Sequence, residues 1–186
     1  MSVTRERIIE LGEDLIRTSG YNAFSYQDIS SELGIKNAAV HYYFPSKDNL
    51  GTGILKTNIQ RFEEMTENMD NKHFNEWQKL ETFMKIYIRS NREAKICLIG
   101  SLGPDFSTLN APMQYELKKL TEIILDWLTE NLRTGRENGL FVFKGEPRDK
   151  ALVVFSNMVA GLQLARILDK NDFKSIYQAV LDDLKP

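Results

Sequence analysis

Apolar residues recur every three or four positions along almost the whole chain, which is the spacing of helices with one buried face. Glycine, proline and short polar runs interrupt this pattern at intervals. The predicted helices cover residues 4–19, 26–33, 37–43, 47–69, 73–92, 94–103, 110–139, 147–169 and 172–184. The one run that resembles a strand, residues 140–143, is too short to support a sheet. The sequence therefore predicts an all-α fold of about nine helices.

Signals that end helices divide off a small N-terminal unit. Gly20 and Gly34 follow two predicted helices at the position where a residue in the left-handed conformation ends a helix. Phe44-Pro45 breaks the third helix, and a serine that can cap the fourth follows at once. We predict a three-helix domain over residues 1–46 and a larger helical bundle over residues 47–186.

Residues 25–44 have the layout of a helix-turn-helix, in which a short helix ends at a glycine and a second short helix follows a tight turn. Val40 and Phe44, four residues apart, can anchor the second helix to the first. The residues left on its outer face are small or polar: Asn37, Ala38, His41 and Tyr42. A helix with slim outer residues can lie deep in the major groove of DNA. From this layout alone, the alternative is a helical hairpin whose aromatic residues merely pack together.

Matched positions extend well beyond those two helices and keep a fixed spacing. They are Ile8-Ile9, Gly20-Tyr21, Phe24-Ser25, Asp28-Ile29, Leu33-Gly34-Ile35, and Val40 through Leu50. Over about residues 4–55 the chain resembles the DNA-binding domain of the tetracycline-repressor family of transcriptional regulators. The resemblance implies an all-helical homodimer that binds double-stranded operator DNA and represses transcription until a small-molecule effector binds its C-terminal domain.

The same resemblance implies which side chains meet DNA. The positions that approach bases are Lys36, Asn37, Ala38, Ala39 and His41. The positions that hold phosphates are Ser25, Tyr26, Tyr42, Tyr43 and Lys47. The chain departs from the family pattern at three of them: His41 stands where tyrosine is usual, Ala38 where glycine is usual, and Tyr43 where histidine is usual. We therefore expect an operator sequence that differs from those of its relatives.

Charge adds no support to DNA binding. The chain of 186 residues has a formal net charge of −2, and residues 1–50 also sum to −2, from five Lys/Arg and seven Asp/Glu. A DNA-binding protein with this balance must concentrate its cations on one face. The single cysteine rules out an internal disulfide, and one cysteine with two histidines offers little for a zinc site. Because we find neither a secretory signal nor an apolar run of about 20 residues, we expect a cytoplasmic protein with no membrane partner. We also expect neither a cofactor nor a metal.

The C-terminal bundle is rich in aromatic residues and methionine. Such side chains offer contact area and adapt in shape, which suits an apolar or aromatic effector. The candidate pocket residues are Phe62, Phe83, Tyr87, Phe106, Met113, Trp127 and Met158. Each of them is equally an ordinary core residue of a helical bundle, so the alternative is that they form only the core.

The resemblance also implies that the last two helices pair with their symmetry mates across a dimer interface. Apolar and polar candidates recur there at steps of three and four residues: Leu152, Phe155, Val159, Leu162 and Arg166. Gly161 and Ala160 would permit close approach of two helices. The alternative is that this stripe packs only within its own chain.

Other functions remain open at this point. Cys97 lies in the run KICLIGSLG, which is similar to a segment of some family members in which a cysteine senses electrophiles or oxidants. Its alternative is an inert buried thiol. A ligand-independent DNA-binding regulator or activator would use the same helix-turn-helix. An enzyme does not fit, because the sequence has no glycine-rich phosphate loop, and the possible metal-ligand pair His73 and Glu76 has no second copy.

Overall fold

The structure, a computed structural model, describes residues 3–186. Over these residues it contains nine α-helices, two 3₁₀ segments and no β-strand. The α-helices are α1 (Val3–Ser19), α2 (Tyr26–Leu33), α3 (Asn37–Tyr43), α4 (Lys47–Asn71), α5 (Glu76–Arg92), α6 (Leu98–Leu102), α7 (Ala111–Glu137), α8 (Pro147–Ile167) and α9 (Lys170–Asp182). The 3₁₀ segments are Tyr21–Ala23 and Gly103–Thr108. The prediction of an all-α fold is confirmed, and residues 140–143 lie in a loop.

The helices near the N-terminus end and begin at the predicted signals. Gly34 ends α2 with a φ of 64°, in the left-handed region that glycine adopts without strain. At the start of α4, Asn49 Oδ1 accepts hydrogen bonds from the backbone N–H of Ser46 at 3.1 Å and from its hydroxyl at 2.8 Å. Asparagine thus closes a capping box in which glutamate or glutamine is the usual partner.

Two helix starts differ from the predicted ones by more than two residues. Helix α5 begins at Glu76 and not at residue 73, because His73 has a φ of 54° and Asn75 caps the helix. Asn75 and Gln78 exchange side-chain-to-backbone hydrogen bonds of 2.9 Å in both directions. The predicted helix over residues 94–103 shortens to α6, since Ala94 has a φ of 56° and the chain stays irregular as far as Leu98.

The chain forms two compact units. The first consists of residues up to Gln60 together with Leu98–Leu120, and the second consists of Arg61–Cys97 together with Thr121–Pro186. Helices α4 and α7 contribute residues to both units. The predicted boundary after residue 46 falls inside the first unit, so a separate domain over residues 1–46 stays a prediction.

The first unit surrounds the short helices α2 and α3 with longer ones. Ile8, Ile29, Val40 and Leu50, one from each of the first four helices, are completely buried. Helix α1 also contacts α6, where the Ser101 hydroxyl donates to the Ile16 carbonyl at 2.7 Å. These contacts fix the position of α3 in the first unit, and with it the direction of its outer face.

The second unit is a helical bundle in which α8 packs against α9 and α5 packs against both. Gly161 of α8 lies against the fully buried ring of Phe173, and a Cβ at this glycine would stand 3.1 Å from that ring. Among the described helices, α8 is the one that is long and apolar enough to cross a membrane by length and composition. A core helix of a water-soluble protein passes the same test.

Candidate nucleic-acid interface

Helix α3 presents small and polar side chains outward and keeps its apolar ones inside. Val40 is completely buried, and Phe44 just beyond the helix is 3% exposed. The exposed residues at and along the helix are Lys36, Asn37, Ala38, His41 and Tyr42, whereas Ala39 and Tyr43 are half-buried. Tyr42 is 81% exposed and its ring meets that of Tyr43 edge-on, with centroids 5.1 Å apart. The predicted base-reading positions therefore share one accessible surface.

His41 is oriented by its neighbours. Its ring meets that of Tyr26 edge-on, with centroids 4.8 Å apart, and its Nδ1 lies 3.3 Å from the Pro45 carbonyl oxygen. A hydrogen bond to that carbonyl requires the proton on Nδ1. In the neutral ring, Nε2 is then left as an acceptor.

Ser25 sits at the start of α2 as expected, but its hydroxyl already has a partner. The Asp28 carboxylate accepts from the Ser25 backbone N–H at 2.6 Å and from the Ser25 hydroxyl at 2.8 Å. These two hydrogen bonds hold the pKa of Asp28 below its usual range. A phosphate at this helix end would have to share the Ser25 hydroxyl with a carboxylate.

The Tyr26 hydroxyl, which the resemblance implies as a phosphate contact, is directed inward in this structure. Only 8% of the residue is exposed, and its hydroxyl donates to the carbonyl oxygens of Phe44 at 2.9 Å and Ser46 at 2.5 Å. Burial raises the pKa of Tyr26 to about 12. In this structure the hydroxyl ties α2 to the loop between α3 and α4, and a phosphate contact at Tyr26 stays a prediction.

Lys47 also points its ammonium group inward. Nζ donates to the Phe24 carbonyl and lies over the rings of Phe24 and Tyr21, at 4.1 Å and 4.9 Å from their centroids. Burial lowers the pKa of Lys47. The Tyr21 hydroxyl in turn donates to Asp48 at 2.6 Å. In this conformation Lys47 holds the start of α4 against the first 3₁₀ segment, and a phosphate contact would compete with that role.

Arg5 is a cation that the sequence analysis did not select. Its guanidinium carbon lies 5.1 Å from the centroid of the Phe44 ring, immediately after the recognition helix. The neighbouring positions in α1 carry charges of both signs, so only the fold singles out this arginine.

Comparisons with known proteins agree with this geometry. A family model for bacterial regulatory proteins of the tetR family matches residues 8–51. A TetR transcriptional regulator from Legionella pneumophila has 30% sequence identity and a TM-score of 0.87, and the match covers 100% of this chain and 99% of that one. The chain belongs to the TetR family. It is therefore a DNA-binding transcriptional regulator, and not an enzyme.

Two further TetR-family proteins resemble the chain over most of its length. A TetR-family regulator from Agrobacterium tumefaciens is 25% identical with a TM-score of 0.90, covering 98% of both chains. The HTH-type transcriptional repressor NemR of Escherichia coli K12 is 22% identical over 157 residues, which are 82% of this chain and 79% of NemR. The structure of reduced E. coli NemR has a TM-score of 0.80 at 21% identity, covering 100% of this chain and 99% of that one.

The second unit of this TetR-family protein contains a cluster of five aromatic rings, which we call the aromatic cluster: Phe62, Phe83, Tyr87, Trp127 and Phe155. Phe83 is at its centre, with ring centroids at 5.4 Å (Tyr87), 5.5 Å (Trp127), 6.4 Å (Phe62) and 6.5 Å (Phe155). The cluster brings together four of the predicted pocket residues and adds Phe155, which the sequence suggested for the dimer interface. Because Phe155 is only 6% exposed, it offers little surface to a second chain.

The other predicted pocket residues lie elsewhere. Met158 is completely buried in α8 of the second unit. Met113 and Phe106 belong to the first unit, where Met113 packs on Gly51 so closely that a Cβ there would stand 2.6 Å from the methionine Cε. Phe106 is 39% exposed. A ligand contact for these three residues stays a prediction.

Helix α8 and the residue after it carry an exposed apolar surface, which we call the α8 strip: Leu152, Val153, Leu164, Ile167 and Leu168. These residues are 44% to 77% exposed, and Ile167 is the most exposed. Of the predicted interface residues, Leu152 belongs to the strip, Val159 is half-buried and Arg166 is exposed beside it. Leu162 is 3% exposed and packs within its own chain.

Cys97 is a half-buried thiol in no disulfide, and it lies between α5 and α6. The Glu93 carboxylate accepts from Arg89 at 2.8 Å and lies 3.2 Å from the Lys95 ammonium, and these contacts lower the pKa of Glu93 to about 2. Lys95 thus shares its charge with a carboxylate, which weakens its effect on a nearby thiol. Among residues 3–186, no group of three His, Cys, Asp or Glu side chains is placed to hold a metal ion.

Proposed function

We propose that this TetR-family regulator is a repressor that binds operator DNA as a homodimer, with α3 in the major groove. The observation that carries the proposal is the outer face of α3, whose accessible residues are slim or polar while Val40 and Phe44 anchor the helix from behind. Such a helix can approach base edges closely. The resemblance to a repressor, NemR, favours repression over activation.

Base reading in this proposal depends on Lys36, Asn37, Ala38, Ala39 and His41. The Ala38 methyl can contact a thymine methyl, and Asn37 can bond an adenine edge. His41, with Nε2 as an acceptor, can receive a hydrogen bond from the amino group of adenine or cytosine. The departures from the family pattern at Ala38 and His41 are thus expected to set the operator sequence.

Phosphate binding is assigned to the exposed Tyr42 together with the half-buried Tyr43 and Arg5. Tyr42 and Tyr43 flank the C-terminal half of α3, and Arg5 lies beside its end. The first backbone N–H groups of α2 add a site for an anion, since helix N-termini carry partial positive charge. Because Arg5 is the cation of this set, hydroxyl and backbone N–H groups supply most of the phosphate contacts of the head, residues 3–50, whose formal charge is not positive.

We propose that the aromatic cluster binds the effector and that binding releases the DNA. An apolar or aromatic small molecule suits the cluster, because edge-on rings provide contact area without charge. Release requires only that the effector bind the DNA-free conformation more tightly than the DNA-bound one.

The homodimer is proposed from the α8 strip. An apolar strip of this size on one side of a helix is unusual for a monomer in water, and pairing with its copy would bury it. Burial in a dimer also accounts for the apolar composition of α8 without a membrane. We accordingly propose a cytoplasmic dimer with residues 1–46 as its DNA-binding domain.

Selection of operator DNA from random duplexes, followed by fluorescence anisotropy, tests this proposal. The wild-type protein should select a two-fold symmetric sequence, and Tyr42→Ala should weaken binding to selected and unrelated duplexes by a similar factor. Tyr42→Phe is the matched control for the ring without the hydroxyl. Failure to select any sequence would overturn the proposal.

Three alternatives lead to different results. A ligand-independent regulator would keep the selected operator when a small hydrophobic molecule binds, and an activator would raise the expression of a reporter gene placed behind the operator. A thiol sensor would lose DNA on treatment with hypochlorite, and Cys97→Ser would abolish that response. Equal responses of wild type and Cys97→Ser would remove the sensor.

A further inference from the structure

Asn131 is a buried polar residue in the core of the second unit. The residue lies in α7 and is 5% exposed. Its Nδ2 donates to the Glu76 carbonyl at 3.0 Å. Its Oδ1 is buried and has no hydrogen-bond partner among the described residues. Buried amide oxygens are nearly always hydrogen-bonded, since leaving one unpaired costs the protein its desolvation.

Rotating the amide does not solve this. Exchange of the two amide atoms would place Oδ1 against the Glu76 carbonyl oxygen, and two acceptors repel. The hydrogen bond to Glu76 therefore fixes Oδ1 as an acceptor in its present position. A group that satisfies it must be a donor.

Aromatic rings lie on both sides of Asn131 along the helix. Trp127 and Gly135 stand one turn before and one turn after it, on the same face of α7. Trp127 belongs to the aromatic cluster. Gly135 lies against Phe141, whose ring centroid is 5.3 Å from that of Trp77. The acceptor is thus placed between two groups of rings.

The core of the second unit offers no counter-charge to an ionic ligand. In the described part of this unit, the buried side chains with polar atoms are those of Tyr87, Ser90 and Asn131, and no charged side chain is buried. The Ser90 hydroxyl donates to the Ile86 carbonyl at 2.8 Å within its own helix. An ionic ligand would lose its hydration here without gaining a counter-charge.

We propose that the effector is a neutral aromatic molecule with one hydrogen-bond donor, of the phenol or indole type. Its donor binds Asn131 Oδ1, and its ring packs against Trp127 and the rest of the aromatic cluster. This inference rests on the proposed effector function and adds to it the chemical class of the effector and the polar residue that recognises it.

Two probes of nearly equal shape test the inference: p-cresol, which has a donor, and 4-fluorotoluene, which has none. Binding to the wild-type protein is measured by titration calorimetry and by quenching of tryptophan fluorescence. The p-cresol should bind roughly five- to tenfold more tightly, which is the effect of one neutral hydrogen bond. Equal affinities, or no binding of either probe, would overturn the inference.

Substitutions then locate the donor preference. Asn131→Leu should abolish it by weakening p-cresol binding while leaving 4-fluorotoluene unchanged, and Asn131→Ala serves as a second variant. Ser90→Ala is the matched control, because it removes another buried polar side chain of the unit and should preserve the preference. A preference that survives in both Asn131 variants would exclude this residue as the acceptor.

The same probes separate this inference from the proposed function. Anisotropy with the selected operator should show release of DNA by p-cresol. If p-cresol binds with the Asn131-dependent preference but DNA stays bound, the recognition chemistry holds and the coupling to DNA fails. If the protein releases DNA in response to 4-fluorotoluene as readily as to p-cresol, repression stands and the donor requirement fails.

Discussion

The hydroxyl of Tyr26 and the ammonium of Lys47 are both directed into the head, where each satisfies backbone carbonyls at the ends of short helices. Helices of seven and eight residues gain little stability from their own hydrogen bonds. Tertiary hydrogen bonds of this kind add the stability that such short helices lack. Tyr26 and Lys47 could bind phosphate only with their side chains directed outward, and in this structure they hold α3 in place.

Replacing Lys47 tests this role directly. Lys47→Met should lower the free energy of unfolding by about 1–2 kcal/mol, because it removes a cation over two rings and a donor to the Phe24 carbonyl. When the DNA affinity is calculated for the folded fraction of the variant, the slope of log affinity against log salt concentration should equal that of the wild type. Lys36→Met, which removes an exposed cation on the recognition surface, should reduce that slope. A reduced slope in Lys47→Met would show that its ammonium reaches DNA.

Tyr26 makes a prediction about alkaline pH. Its pKa is raised to about 12 in the folded protein, against 10.0 for a free tyrosine. A raised pKa means that the contribution to stability is complete below pH 10 and is lost as the pH rises towards 12, where the hydroxyl ionises. Tyr26→Phe should therefore be less stable than wild type at neutral pH, by about 1–2 kcal/mol for the lost hydrogen bonds.

The difference in stability between wild type and Tyr26→Phe should shrink from pH 10 upward. Denaturant unfolding followed by circular dichroism at a series of pH values measures it. A difference that persists unchanged at pH 12 would show that the hydroxyl does not contribute through its proton.

At the scale of secondary-structure elements, helix spacing depends on a few glycines. A Cβ at Gly135 of α7 would stand 2.2 Å from the ring of Phe141, which is 1% exposed and cannot move freely. Gly135→Ala should lower the free energy of unfolding by about 1–3 kcal/mol, although alanine favours helix formation. Thermal and urea unfolding measure the change.

Gly103→Ala is the matched control for Gly135→Ala. A Cβ at residue 103 meets no atom within 4 Å, and the backbone there has no positive φ. This variant should unfold like the wild type. Similar losses in both variants would mean that crowding by Phe141 is not the cause.

The elements also show what a single sequence can predict. Periodic apolar positions located all the long helices, and Gly34 and Pro147 marked ends that the structure keeps. The start of α5 was missed because its signal is a pair, Asn75 with Gln78, outweighed by apolar residues just before it. The direction of a side chain could not be predicted from the sequence. Whether Tyr26, Lys47 or Phe155 faces inward depends on long-range contacts that have no local pattern.

At the scale of the whole molecule, the α8 strip predicts the oligomeric state. Ile167→Glu would place a charge on the most exposed apolar residue of the strip and should convert the dimer to a monomer. Light scattering after gel filtration measures the mass. Operator binding should fall steeply, since each head then binds its half-site alone.

Val142→Glu is the control for the change in the strip. Val142 is 56% exposed and lies in the loop between α7 and α8, at the opposite end of α8 in sequence from Ile167. It should leave both the mass and the DNA affinity unchanged. A dimer that survives Ile167→Glu would place the interface elsewhere on the protein.

The inward turn of Lys47 has a consequence for how the regulator finds its site in a cell. Affinity for random DNA comes almost wholly from cations that neutralise phosphates, and a head with few outward cations clings weakly to the chromosome. A smaller fraction of the protein is then bound to non-specific sites on the chromosome. We expect that a few copies per cell are enough to keep the operator occupied, and that the search for it proceeds mainly through solution, with little sliding along the double helix.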